Sequence, residues 1–406
     1  MEVELVIRDN YLNKIEKFFN SSVIKIITGM RRVGKSTILL QLKDRLISEG
    51  ISEDSIVHIN MELFKFSHIK EAADLHAYVT KQLSNVTSKA YIFIDEVQEV
   101  AEWEKAVQSF LAEDLGEIVL TGSNAHMLSS ELATLLTGRY IEIPVYPLSF
   151  KEFLQFREVA GDGSDIRDLF SKYLKYGALP GIHQLPLEDD TTVPYLDAVI
   201  DTLLLRDIVQ RHKVKDVSIL DRILNFIMDA TGSLISIKKI ADYLKSQGLK
   251  VGNEKVSNYL QYLCDATIVT KVSRYDIQGK RQMEYLDKYY LTDLGLRYAR
   301  MGDSIKRLPG TLETIVYHEL KRKGYEVFVG TKGKLEIDFV AQKQDDILYV
   351  QVATYLAEES TIEREFGNLE SIKDNYPKIV LSIDELPIGG RNGIMWKNIR
   401  EWLLDK

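Results

Sequence analysis

Residues 29–36 read Gly-Met-Arg-Arg-Val-Gly-Lys-Ser, which satisfies GxxxxGK[ST]. An apolar run, Val23 to Ile27, precedes them, and an amphipathic segment beginning Thr37-Ile38-Leu39 follows. That is the strand–loop–helix setting in which this pattern cradles phosphate. Gly29 and Gly34 let the backbone curl so that its N–H groups face an anion, and the following helix adds its positive end. On this reading Gly29, Met30, Arg31, Arg32, Val33, Gly34, Lys35, Ser36 and Thr37 line a nucleotide phosphate site. Lys35 reaches the β- and γ-phosphates, and the Ser36 hydroxyl ligates Mg²⁺. A glycine turn before an ordinary helix is the plainer alternative.

A second set of groups gives the loop a chemical task. Tyr91-Ile92-Phe93-Ile94-Asp95-Glu96 is an apolar strand ending in two carboxylates. Asp95 is expected to hold the Mg²⁺ shell from the carboxyl edge of a parallel sheet, and Glu96 to act as general base on a water. A further strand, Ile56 to Asn60, lies between the two motifs. Leu120-Thr121-Gly122-Ser123-Asn124 ends another apolar run in polar residues, so Ser123 or Asn124 is a candidate sensor of the γ-phosphate. Arg139 opens the last strand of this region. It is a candidate arginine finger, within its own chain or toward a neighbouring copy in a homo-oligomer, with a surface ion pair as the competing reading.

These residues need a scaffold, and the apolar blocks supply one. Strands at 23–28, 55–60, 90–95, 117–122 and 139–145 alternate with helices, the grammar of a parallel α/β sheet over residues 1–150. Residues 151–212 read as a helical lid or linker, interrupted at Gly177-Ala178-Leu179-Pro180-Gly181. Residues 213–302 read as a winged helix-turn-helix, with helices at Ser218–Asp229, Ile237–Ser246 and Asn253–Cys264 and a hairpin turning at Gln278-Gly279-Lys280. Double-stranded DNA is a candidate partner through 253–263 and 278–282, with Lys255, Asn258, Gln261, Tyr262, Lys280 and Arg281 as contacts. Winged helices also serve as protein-contact modules.

Residues 303–406 read as a small α/β domain. Glu313, Asp338 and the Gln351-Val352-Ala353 triplet fall where restriction-endonuclease-like nucleases carry their metal site. Gln351 and Ala353 stand in place of Glu and Lys, so the domain is expected to be catalytically degenerate.

Charge supports a division of labour. The 406-residue chain carries a net −8, yet residues 206–300 hold 17 Lys/Arg against 11 Asp/Glu. A basic segment in an acidic chain suits an anionic partner or a solvated surface. The lone Cys264 falls in a helical pattern as a core residue, and no apolar run is long enough to span a membrane, so a cytoplasmic location is expected.

With these motifs in hand, the chain resembles a family of bacterial and archaeal ATP-binding proteins of the AAA superfamily. The resemblance rests on Gly29–Ser36, Phe93–Gln98 with Trp103, Leu120–Asn124, Gly138-Arg139 and Pro147–Phe150. C-terminal marks are Tyr289–Gly295, Glu336–Phe339 and Tyr349–Ala353. It implies ATP and Mg²⁺ as cofactors, ATP hydrolysis, a winged-helix connection and a nuclease-like terminal fold. The reading that follows is an ATPase driving a conformational switch. Alternatives are a nucleic-acid-binding regulator with little turnover, a protein-interaction ATPase, and a metal-dependent nuclease.

Overall fold

A computed structural model describes residues 6–123, 136, 138–356, 358–385 and 389–405. The chain divides into two units: Met1–Tyr146 with Asp265–Thr267, and Pro147–Cys264 with Ile268–Lys406. Among the described residues no helix is long and apolar enough to cross a membrane.

The first unit is built on a five-stranded parallel sheet. Its strands are β1 (Ile24–Thr28), β2 (Ile56–Asn60), β3 (Tyr91–Asp95), β4 (Glu117–Gly122) and β5 (Tyr140–Pro144), each within a residue or two of its expected place. Their order is β2-β3-β4-β1-β5. The consequence is specific: β4 is inserted between β1, which feeds the phosphate loop, and β3, which ends in the two carboxylates. The extra strand β2 is pushed to the edge beside β3.

The central strands are buried on both faces, which is why they read as continuous Ile/Val/Leu runs rather than alternating ones. Helices α1 (Asp9–Glu16), α2 (Lys35–Ser48), α3 (Ala72–Leu83) and α4 (Trp103–Ala112) cover the sheet. Leu75 and Val79 of α3 and Trp103, Val107 and Phe110 of α4 close one core over Ile24, Ile26, Ile92, Ile94 and Leu120.

The second unit opens with α5 (Phe150–Val159), whose Ser149/Glu152 capping box fixes its start, then α6 (Ile166–Tyr176) and α7 (Asp189–Thr202). A π-helical stretch, Leu203–Gln210, extends α7 and carries Arg206 exposed and Asp207 buried. Helices α8 (Val217–Asp229), α9 (Ile237–Ser246) and α10 (Asn253–Asp265) follow.

The break at Gly177 is packed rather than loose. A Cβ there would meet the Asp293 carboxylate at 2.1 Å, and Asp293 accepts the Ala178 N–H at 2.7 Å and the Gly295 N–H at 2.9 Å. One buried carboxylate thus ties this segment to the start of α11 (Leu294–Met301).

The remaining strands form a single nine-stranded sheet. The short β6 (Leu234–Ile235) and the hairpin β7 (Val269–Asp276) and β8 (Arg281–Leu291) lie at one end. Next come β9 (Glu326–Lys332), β10 (Leu335–Lys343), β11 (Asp346–Val352), β12 (Lys378–Ser382), and β13 (Gly390–Arg391) with β14 (Ile394–Asn398). The hairpin is not free-standing, because Arg274–Asp276 of β7 pairs in parallel with Val329–Thr331 of β9. Helices α12 (Leu308–Arg322), α13 (Glu359–Glu370) and α14 (Ile399–Leu404) complete the unit.

Candidate active site

The phosphate loop is anchored from below. Thr28 at the end of β1 accepts the Val145 N–H at 2.8 Å. Gly29 passes so close that a Cβ would meet the Val145 carbonyl oxygen at 2.3 Å, and its φ of +140° is glycine territory. Gly34 (φ +96°) makes the second bend, directly into α2. Met30 and Val33 are wholly buried, so they hold the loop by their side chains and face an anion only through backbone N–H groups. Arg32 is exposed. Arg8 adds an anchor that sequence reading missed. Its guanidinium donates to the Val33 carbonyl (3.0 Å) and the Tyr146 carbonyl (3.1 Å) while lying 4.5 Å over the Tyr11 ring. Nothing in its local sequence marks it.

Lys35 folds back over this loop. Its ammonium donates to the Gly29 carbonyl at 2.9 Å and the Met30 carbonyl at 3.2 Å, and stands 3.7 Å from Glu96 Oε1. Arg31 approaches the other oxygen of the same carboxylate at 3.7 Å and bonds Glu62 at 3.1 Å. The Ser36 side chain lies near enough to the Asp95 carboxyl to help lower it. The loop and the carboxylate strand, sixty residues apart in sequence, therefore meet across β4.

Thr121 is the residue of β4 that joins them. Its hydroxyl donates to Asp95 Oδ1 and accepts the Glu96 N–H at 2.9 Å. The expected sensors, Ser123 and Asn124, lie two and three residues further along. Ser123 is buried near enough to the Glu96 carboxyl to help lower it, but its hydroxyl makes no hydrogen bond among the described residues. Asn124 lies outside the described residues. Thr121 had a visible signal, a hydroxyl inside an apolar run, but its partners are long-range. Glu96 itself has a φ of 54°, an unusual conformation for a residue with a side chain, which turns the chain sharply out of β3.

The two acids are driven apart. Burial pushes the Asp95 carboxyl up, with Glu96 adding to the push, while the hydroxyls of Thr121 and Ser36 resist it. Burial also opposes ionisation of Glu96, but Lys35, Arg31, Gln98 and Ser123 outweigh it and hold that carboxyl below its usual range. A buried acid short of countercharge beside a serine hydroxyl fits a divalent cation. An ionised acid beside it fits a water-orienting base.

Arg139 is elsewhere. It precedes β5, whose Tyr140 is in register with Ile24 at the start of β1, whereas the phosphate loop leaves the far end of β1. Five residues of strand are roughly 16 Å, beyond an arginine's reach, so Arg139 is not a finger for its own site. It is exposed, as a finger toward a neighbouring copy or an ordinary surface residue would both be.

The acids of the second unit also converge, but onto an ammonium. Lys288 of β8 lies 3.0 Å from Glu313 Oε2, 2.9 Å from Glu336 Oε1 and 3.7 Å from Asp338 Oδ1, and is 1% exposed. The Tyr290 hydroxyl donates to Glu313 at 2.7 Å, and Asp338 accepts the Val352 N–H at 2.8 Å. The Gln351 amide oxygen is taken by the Asp338 N–H at 3.2 Å. These residues do not fit a divalent cation: a lysine already stands among the carboxylates.

Of the expected DNA contacts, Lys255 pairs with Asp216 and Tyr262 stacks on His212 with ring centroids 3.8 Å apart. Asn258, Gln261, Lys280 and Arg281 are exposed.

Comparison with known proteins agrees with this geometry. Residues 21–154 match a family described as an AAA domain, and residues 167–306 match a domain of unknown function (DUF8612). An uncharacterised protein of Haemophilus influenzae is 38% identical over 404 residues, spanning 100% of both chains. The chain belongs to this AAA-domain family. A further relative, an uncharacterised protein of Methanocaldococcus jannaschii, is 30% identical over 366 residues, covering 86% of this chain and 79% of that one. The Walker-type ATPase of Pyrococcus abyssi superposes with a TM-score of 0.53 at 14% identity, over 73% of this chain and 96% of that chain. That likeness shows the P-loop ATPase fold.

Proposed function

We propose that the first unit of this AAA-domain protein binds Mg²⁺·ATP and hydrolyses it, and that turnover drives a conformational switch. The observation that carries this reading is the meeting of Lys35, Ser36, Asp95 and Glu96 across β4, bridged by Thr121. Ser36 and Asp95 would hold Mg²⁺, whose charge would stabilise the transferring phosphoryl group. Lys35 grips the phosphates from the loop.

Glu96 is ionised and held by Lys35 and Arg31. Phosphate oxygens compete for both cations, so nucleotide arrival frees Glu96 to orient water, and product release returns it to its ion pairs. Arg31 also bonds Glu62 at 3.1 Å and approaches Glu99 at 3.9 Å. Exchange of this charge network between protein acids and phosphate is the switch element.

Glu96→Gln tests the base. The variant is expected to bind ATP and lose about 10²-fold or more in turnover. Normal turnover would overturn the assignment.

In the second unit, α8 to α10 and the hairpin support a winged helix, and the terminal strands with α12 support a restriction-endonuclease-like fold without a metal site. Exposed Lys280 and Arg281 at the hairpin tip favour contact with duplex DNA. The ATPase rate, measured with and without duplex DNA on protein of known oligomeric mass, tests the coupling. Stimulation lost in Lys280→Ala/Arg281→Ala supports it. No DNA binding at low salt would assign the module to protein contact.

A further inference from the structure

A cavity of about 410 Å³ lies wholly within the second unit, walled by α6, α11, the start of α12 and the segments around Tyr355, Glu385 and Arg400. That volume suits a small organic ligand. Its charge is lopsided: Arg167, Lys175, Arg297, Arg307 and Arg400 line it, against Asp303 and Glu385. Four of the cations have carboxylate partners. Arg167 and Arg400 share Glu385 at 3.0 and 3.2 Å, Arg307 has Asp229 at 2.9 Å, and Lys175 has Asp189 at 3.0 Å.

Arg297 differs. It is 8% exposed, and its guanidinium bonds the Thr311 hydroxyl. Among the described residues it forms no ion pair. Asp303 and Asp229 act on it only at longer range, and Arg307 repels it. Burial, with Arg307 second, brings the guanidinium down to about 10. A buried, under-compensated guanidinium is costly unless an anion joins it. Arginine's planar fork matches phosphate oxygens. The same cavity presents Tyr355, 58% exposed, as an aromatic surface beside the cations.

We propose that this cavity binds a small phosphorylated ligand of mononucleotide size, with Arg297 as its phosphate-binding group and Tyr355 as the platform for its ring. The site is separate from the phosphate loop, and the ligand is a free small molecule. Under-compensated charge of this kind marks a binding site that trades stability for function.

The experiment is calorimetric titration of the full chain carrying Lys35→Ala, so that the phosphate loop does not compete. The probes are uridine monophosphate, inorganic phosphate, uridine and a 5′-phosphorylated DNA 12-mer. The nucleotide is expected to bind, uridine not to, and phosphate to bind more weakly than the nucleotide. Arg297→Gln should weaken the nucleotide at least tenfold. Tyr355→Ala should weaken it several-fold while leaving phosphate unchanged.

Melting of Arg297→Gln supplies a second readout. A ligand-binding arginine without a carboxylate leaves stability unchanged or raised when removed, whereas a structural one lowers it. Should that variant fail to fold, the structural role is shown and the proposal falls. Absence of binding up to 10 mM of either phosphate probe, or binding unaffected by Arg297→Gln, would also overturn it. A 12-mer that binds more tightly than the nucleotide would reassign the site to a polynucleotide end and overturn the small-ligand reading.

Discussion

Two lysines in this molecule sit in similar chemistry and do opposite things. Lys35 and Lys288 are both buried, and each faces acids brought to it from distant parts of its own unit. Lys35 holds its carboxylate at 3.7 Å and spends its hydrogen bonds on the carbonyls of its own loop. That arrangement is loose enough for phosphate to enter. Lys288 is gripped at 2.9–3.0 Å by Glu313 and Glu336, with Asp338 behind and Tyr290 closing the cluster. Burial disfavours its charge, but the three carboxylates outweigh burial and hold the ammonium above its ordinary range. The lesson is that a cation among acids makes a ligand site only where its bonds are exchangeable.

Removing each lysine separates the cases. Lys288→Met removes the cation that offsets the buried Glu313 and its neighbouring acids and is expected to cost about 3–5 kcal/mol of stability, read by denaturant unfolding. Adding Glu313→Gln to it should recover part of the loss, since one stranded charge is gone. Lys35→Ala should reverse the pattern: ATP affinity falls by about 2–5 kcal/mol, while the melting temperature moves little. Loss of stability in Lys35→Ala as large as in Lys288→Met would erase the distinction.

The same contrast explains what could be read from sequence. Gly29, Gly34, Lys35 and Ser36 are legible because their chemistry is local: the bends, the loop amides and the helix start are all within one motif. Asp95 and Glu96 were legible from an apolar strand ending in acids. Thr121 was not, because its meaning depends on β4 being inserted between β1 and β3. The own-chain alternative for Arg139 fails for a reason that sequence contained. A residue opening a parallel strand lies at the edge opposite a loop that follows its neighbour. Lys288 and Arg297 were invisible as site residues: one lies on a hairpin strand, the other in a helical run, and their partners come from α12 and β10 and from Thr311.

A smaller effect tests the closed cluster through pH. Burial chiefly, then the charge of Glu313, pushes the Asp338 carboxyl up to about 8, against the pull of Lys288 and the Val352 N–H. Facing it are Lys288 and Tyr290 from β8, Glu313 from α12, Glu336 on its own strand, Gln351 from β11 and Glu365 from α13. The folded protein thus keeps a proton that the unfolded chain releases near pH 4. Its contribution to stability is full below that pH, declines as pH rises, and is lost by about pH 8. Asp293, pushed up to about 6 by burial, acts in the same sense over the lower half of that window. Denaturant midpoints taken from pH 5 to 8 should therefore fall, and Asp338→Asn should flatten the part of the slope above pH 6. A slope unchanged in Asp338→Asn would mean that the cluster titrates elsewhere.

The smallest expected effect concerns the exchangeable site and rests on its ATPase reading. Arg31 and Lys35 both hold Glu96 ionised, yet only Lys35 belongs to the phosphate-gripping pattern. Arg31→Gln removes one of the two charges that offset burial, so the Glu96 carboxyl must rise toward its ordinary range. A base that must be ionised then loses activity at a higher pH than before, and the acid limb of the kcat/KM profile, which reports the nucleotide-free site where the two cations hold Glu96, moves upward. Near neutral pH kcat/KM changes only a few-fold, because Lys35 still holds the carboxylate before nucleotide arrives. A purely structural Arg31 would lower the rate equally at all pH values and leave the limb in place. The direction of that limb thus decides whether Glu96 is poised by its two cations or merely packed between them.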